Sequence, residues 1–170
     1  MSENTVIDSS ATAAPFDAKT FRHTLGQFAT GVVVIATEVD GEIHGMTANA
    51  FMSGSMSPPL VVVSVDKRAR MHALLEQSGD YSISMLAADQ ESFSRHFAGQ
   101  PDAQCNVHFE RLDGQPVISG ALAWISTRIV SRSDCGDHTL FIGEVSHLRS
   151  FVEKKALAFH QGCYVDITKP

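Results

Sequence analysis

The way the apolar runs are cut constrains this chain most. Short β-branched stretches such as Val32–Ala36 and Leu60–Val65 recur between turn signals, with no regular alternation of strand and helix. Val32–Val39 runs into Asp40-Gly41, a two-residue hairpin signal, and Glu42–Phe51 offers the return strand. Ser53–Pro59 reads as a loop, and Leu60–Val65 is apolar enough for a strand buried on both faces. Further strands are expected at Tyr81–Leu86, near Phe109, at Tyr164–Ile167, and at Ala121–Ser131 and Thr139–Leu148 around the turn Asp134–Asp137. Helices are expected from Asp17 to Gly31, around Met71, Leu74 and Leu75, behind Asp89 as N-cap, and at Val152–Phe159. In the first of these Phe21, Leu25 and Phe28 share one face and read as core. This pattern predicts a mainly β (α+β) fold, an antiparallel barrel with a few flanking helices, and not a doubly wound sheet.

At 170 residues the chain is expected to form one domain, with 1–16 as a flexible polar tail and 17–170 as the folded part. A net charge of −6 argues against a nucleic-acid-binding role. Charged residues make up 19%, below the roughly 25% of an average domain, which suggests surface covered by a partner subunit. The three cysteines form no disulfide framework, Met1–Ala18 has neither Lys nor Arg, and no run reaches membrane-helix length. A reduced cytoplasm, away from membranes, is the expected address.

Chemistry concentrates in Gly45–Pro59, where small and hydroxylated residues leave main-chain N–H groups accessible. Such a wall suits a flat heteroaromatic ring, and Thr47, Asn49, Ser53 and Ser55 can add side-chain bonds. The same residues also suit a strand entering a Ser-rich turn. Asp66-Lys67-Arg68-Ala69-Arg70 puts cations at a helix start, which is unfavourable for the helix unless an anion is bound there; a solvated turn is the plain alternative. No GxGxxG or Walker loop is present. The Cys/His pairs 105/108, 135/138 and 163/160 are too scattered to make a metal site, and no metal is expected.

Phe21-Arg22, Phe28–Val34, Gly45–Phe51, Ser57–Val61, Phe97-Ala98-Gly99 and Gly136-Asp137-His138 together resemble the short-chain flavin reductases. These are the reductase components of two-component flavin-dependent monooxygenases, and the resemblance covers roughly residues 20 to 168. It implies a Greek-key split β-barrel, a homodimer, and an oxidoreductase passing a hydride from NADH, or NADPH, to FMN or FAD. Reduced flavin would then serve a partner monooxygenase. A tight flavin-binding electron carrier or sensor on the same barrel is the alternative.

The resemblance implies that Thr47, Ala48, Asn49 and Ala50 lie along the isoalloxazine, followed by Ser53, Gly54 and Ser55. Lys67 and Arg68 would meet phosphate, Phe97 would join the cofactor residues, and Gly136, Asp137 and His138 would stand beside the nicotinamide. No side chain is assigned as a catalytic acid or base, because hydride transfer requires none. The sequence departs from the family at Gly54, where a branched apolar residue is usual, and at Ala69-Arg70, where a hydroxyl is usual.

Overall fold

The computed structural model describes residues 15–151 and 154–167. Helix α1 (Ala18–Leu25) opens where the Asp17 carboxylate accepts the Thr20 N–H at 2.7 Å. Strands β1 (Thr30–Gly31), β2 (Val33–Val39), β3 (Glu42–Ala48), β4 (Phe51–Met56) and β5 (Pro59–Asp66) follow. Helix α2 (Arg70–Gln77) leads to β6 (Asp80–Met85), a 3-10 turn (Ala88–Gln90) and helix α3 (Glu91–Phe97). The chain then forms β7 (Phe109–Leu112), β8 (Gln115–Ile118), the long hairpin β9 (Ala123–Cys135) and β10 (His138–Ser150), and finally β11 (Leu157–His160) and β12 (Cys163–Asp166).

Connectivity alone shows that the main sheet curls. Its order is β3-β2-β6-β9-β10-β5-β4, so β3 and β4 are opposite edges. Yet only Asn49 and Ala50 separate them in the chain. Two residues span no more than about 10 Å, so the edges must meet at that corner. The result is an antiparallel barrel split between β3 and β4. A second sheet, β1-β11-β12, and the ribbon β7-β8 pack outside it.

Side chains alternating along β2 feed two cores. Val33 and Ile35 point inward, to Val61, Val63, Val65, Tyr81, Ile83 and Phe141, with Met71 and Leu75 of α2 closing the cluster. Val32 and Val34 point outward, to Leu86, Ile118 and Leu157, where Phe93, Phe97 and Phe109 pack. The strand buried on both faces is therefore β2. In β5, expected to be that strand, only Val61, Val63 and Val65 are buried among Leu60–Val65.

Other expectations change with the structure. The α1 helix stops at Leu25, and Phe21, Leu25 and Phe28 are 51%, 58% and 78% exposed, so within this chain they are not core. The return strand breaks at Ala48, and Phe51–Met56 begins a new strand, which leaves Ser57-Pro58 as the turn in place of the longer loop. Asp89 lies in the 3-10 turn and does not cap α3. The expected helix Val152–Phe159 is not formed at its end: Leu157–His160 is a strand that pairs with β1 and β12, because Phe159 and Leu157 have a core and two strands to join. Residues 1–14 of the expected tail, and 152–153, lie outside the described residues.

Candidate functional site

The corner between β3 and β4 is held from both sides. Thr47 Oγ1 donates to the Ser94 carbonyl at 2.7 Å, and Ser94 Oγ meets Tyr164 Oη at 2.8 Å, which ties the end of β3 to α3 and β12. The Ala50 carbonyl accepts the Ser64 N–H at 3.0 Å, which ties the start of β4 to β5. Between these anchors Asn49 is exposed, and its amide has no hydrogen-bond partner among the described residues.

Two concavities meet at this corner. A cavity of about 410 Å³ is walled by Thr30, Gly31, Val33, Asn49, Phe51, Met85, Leu86, Leu122 and Leu157, with Phe28 at its side. A smaller cleft of about 190 Å³ is lined by Thr47, Ala48, Asn49, Ser94, Phe159 and Tyr164. Asn49 and Val32 belong to both. Thr30, one of the residues walling the larger cavity, has a buried Oγ1 that finds no hydrogen-bond partner among the described residues. A buried hydroxyl without a partner costs stability.

At the same end of the barrel sits a cluster of charge. Ser64, bonded to Ala50, is two residues from Asp66, and Asp66 is opposite His138 in the β5–β10 ladder. Arg68 donates from Nη2 and Nε to Asp66, at 2.7 and 3.1 Å, and holds its carboxyl far below the usual range. Lys67 Nζ bonds to the Gly136 carbonyl and pairs with Asp134, both at 3.0 Å. His138 Nδ1 lies 2.7 Å from Asp137 Oδ1, a hydrogen bond that lowers the Asp137 pKa. Arg70, exposed beside them at the start of α2, has no carboxylate partner among the described residues.

The expected site residues are thus partly gathered. Thr47–Ala50, Lys67, Arg68 and Gly136–His138 share one end of the barrel. Ser53 and Ser55 run away from it down β4, opposite Val61 and Leu60. Gly54 sits at the irregularity between them, where a Cβ would stand 3.2 Å from Val62 Cγ2, so glycine lets β4 lie close to β5. Phe97 packs on Gly45 and lies 6.1 Å from Phe109; it lines a separate hollow with Arg70 and not the Asn49 cleft. Thr30, Gly31 and Phe51 were not singled out by local pattern, although all three stand within the blocks that carry the family resemblance.

A split antiparallel barrel with an apolar cavity at its β3–β4 corner defines the class, and the match by sequence agrees. The family described as the flavin reductase like domain matches residues 25–168, and the chain belongs to it. An NADH-dependent flavin reductase of Rhodococcus sp is 42% identical over 146 residues, covering 84% of this chain and 82% of that protein. The reductase component of 4-hydroxyphenylacetate 3-monooxygenase of Thermus thermophilus is 36% identical over 150 residues, 88% of this chain and 97% of its own. Among solved structures, the flavin reductase PheA2 superposes with a TM-score of 0.88 at 47% identity, covering 91% of this chain and all of its own. The NADH:FAD oxidoreductase SgcE6 of Streptomyces globisporus, in complex with NAD and FAD fragments, gives 0.83 at 34% identity, covering 94% and 98%.

The residues present fit a flavin. An isoalloxazine has apolar faces and a rim of acceptors and N–H groups. The larger cavity offers apolar walls, with the exposed Asn49 amide among its lining groups and Thr30 among the residues that wall it.

Proposed function

We propose that the protein is an NADH-dependent flavin reductase that supplies reduced FMN or FAD to a flavin-dependent monooxygenase component. The apolar-walled cavity at the β3–β4 corner, with the exposed Asn49 amide among its lining groups, carries this reading. Bound flavin supplies a ring that takes up two electrons from NADH and gives them up again elsewhere.

The chain's own part is binding and orientation. Thr30 and Asn49 would hold the polar rim, and Val33, Phe51, Met85 and Leu86 would cover the apolar face and exclude water. Thr47, spent on Ser94, would act by fixing the corner and Ala48 beside it. Ser53, Gly54 and Ser55 continue the same edge strand away from the corner. For phosphate, the start of α2 offers Arg70 and uncapped main-chain N–H groups, whereas Lys67 and Arg68 would first have to leave their carboxylates. The Gly136-Asp137-His138 tip would stand beside the nicotinamide, with His138 oriented by Asp137. These placements bring two ligands together and supply proximity without an acid or base.

A homodimer completes the reading. Phe21, Leu25 and Phe28 on and after α1, and Met52 and Met56 on β4, leave large apolar side chains exposed. Since Phe28 also flanks the cavity, a second copy over this face would close it. Among the described residues no helix is long and apolar enough to cross a membrane. The three free thiols of Cys105, Cys135 and Cys163 favour a reducing, cytoplasmic setting.

The test is turnover without oxygen. NADH with FMN or FAD should lose the visible flavin band far faster with the protein than without it. No acceleration with either flavin overturns the proposal. Tight flavin retention with no NADH oxidation would favour the electron-carrier alternative.

A further inference from the structure

The tip of the β9–β10 hairpin overhangs the barrel. Ladder pairing to β5 ends at Asp66↔His138, so Gly136 and Asp137 lie past the last rung. Gly136 adopts a left-handed φ of 62°, and the tip residues are exposed. Such a tip, with few buried contacts, frays on its own. Here one residue of the next turn holds three of its positions. The Lys67 main-chain N–H donates to the Asp137 carbonyl at 3.0 Å; its Nζ donates to the Gly136 carbonyl and pairs with Asp134 Oδ1, each at 3.0 Å.

We infer that Lys67 is a positioning residue for the nicotinamide side of the site: it clamps the hairpin tip so that Asp137 and His138 face their ligand in one orientation. This rests on the reading that His138 contacts the nicotinamide. An ammonium has three N–H donors, and two are already engaged with the tip. Its side chain is 39% exposed, against 85% for Arg68, which belongs to a residue tucked against the hairpin and not to one reaching for phosphate. The link to His138 is short. Lys67 holds the Asp137 backbone, and the Asp137 carboxylate holds the His138 ring. The main-chain bond survives substitution by any residue that keeps a backbone N–H, so the side chain carries only part of the clamp and its loss should have a graded effect.

The experiment compares Lys67→Met and Lys67→Arg with His138→Ala and the Lys67→Met/His138→Ala double variant, by steady-state kinetics in NADH and by binding of FMN and riboflavin. Lys67→Met should raise the KM for NADH about fivefold, the loss of a surface pair plus one hydrogen bond, with kcat changed less than about twofold. FMN and riboflavin should bind as to the wild type, and Lys67→Arg should recover most of the KM. Adding Lys67→Met to His138→Ala should raise KM no further, since the tip has lost the group it presents. If His138→Ala raises KM but Lys67→Met does not, the clamp is overturned and the nicotinamide reading stands. If His138→Ala leaves kinetics untouched, the reading itself falls and the clamp with it. Loss of FMN affinity with riboflavin unaffected would make Lys67 a phosphate ligand and overturn the clamp; additive effects in the double variant would also overturn it.

Discussion

Replacing Thr30 by valine should make the flavin-free protein more stable and the flavin complex weaker. The substitution keeps a β-branched side chain of similar shape in β1, whose pairing of Thr30 with Phe159 is main-chain and untouched. Only the hydroxyl goes. Thr30 Oγ1 is buried without a partner among the described residues, and burying such a group costs about 1–3 kcal/mol. Recovering about 1 kcal/mol of that would raise the Tm of the flavin-free protein by about 2–4 °C for a domain of this size. If the hydroxyl bonds a flavin rim atom, losing it removes about 0.5–1.5 kcal/mol of binding, a rise in Kd of about two- to thirteenfold. Calorimetry at fixed protomer concentration and quenching of flavin fluorescence read the two effects separately. Thr30→Ser, which retains the hydroxyl, should keep the affinity. Unchanged flavin affinity in Thr30→Val would refute the placement of the ring edge at Thr30. A lowered Tm would show that the hydroxyl is satisfied in the free protein.

Three more expectations follow from packing, charge and exposure. Gly143→Ala would put a Cβ 2.8 Å from Thr127 and from Tyr81 Oη inside the barrel, so it should cost about 1–3 kcal/mol in a denaturant titration; a wild-type midpoint would contradict the packing. Asp66 and Asp137 have pKa values below the ordinary 3.8, so their pairing stabilises fully above that value and is lost as pH falls through the lower folded values; Asp66→Asn should flatten the acid limb of stability below about pH 4, and an unchanged limb would count against the Arg68 pair. Sedimentation should give about twice the 18.4 kDa chain mass, reverting to the chain mass in Leu25→Asp/Phe28→Asp, and a monomeric wild type would remove the reason for the exposed stripe.

Local pattern in the chain was enough for most strands and for the hairpin at Asp40-Gly41, because period-two alternation and turn chemistry act over a few residues. Local composition also marked the Gly45–Pro59 stretch and the Lys67-Arg68 turn as candidate ligand surfaces, whereas the Gly136–His138 turn came only from the family resemblance. Leu157–His160 was legible only as an apolar run, and such runs take strand or helix according to the neighbour that receives them. Here β1 and β12 receive it, from positions more than a hundred residues apart in one case and close by in the other. The larger cavity was hidden for the same reason. Thr30, Phe51, Met85, Leu122 and Leu157 meet only because the strand order of the barrel brings them together.

The stripe on α1 marks a different limit. Phe21, Leu25 and Phe28 recur at the spacing of one helix face, and that periodicity states that the face is to be covered. It does not state by which chain. Burial against a neighbouring copy removes the same apolar area from water, at about the same free energy per unit area, as burial in the chain's own core. A reading of one sequence therefore assigns such a stripe to the core by default. The structure corrects this by leaving the three side chains about half or more exposed while both cores are complete without them. What distinguishes the two cases is the low proportion of charge, 19% over the whole chain, together with an apolar face that stays about half or more exposed although Phe16 stacks on Phe21. Because Phe28 stands at the edge of the flavin-sized cavity, covering that face and completing the site are, on this reading, one event.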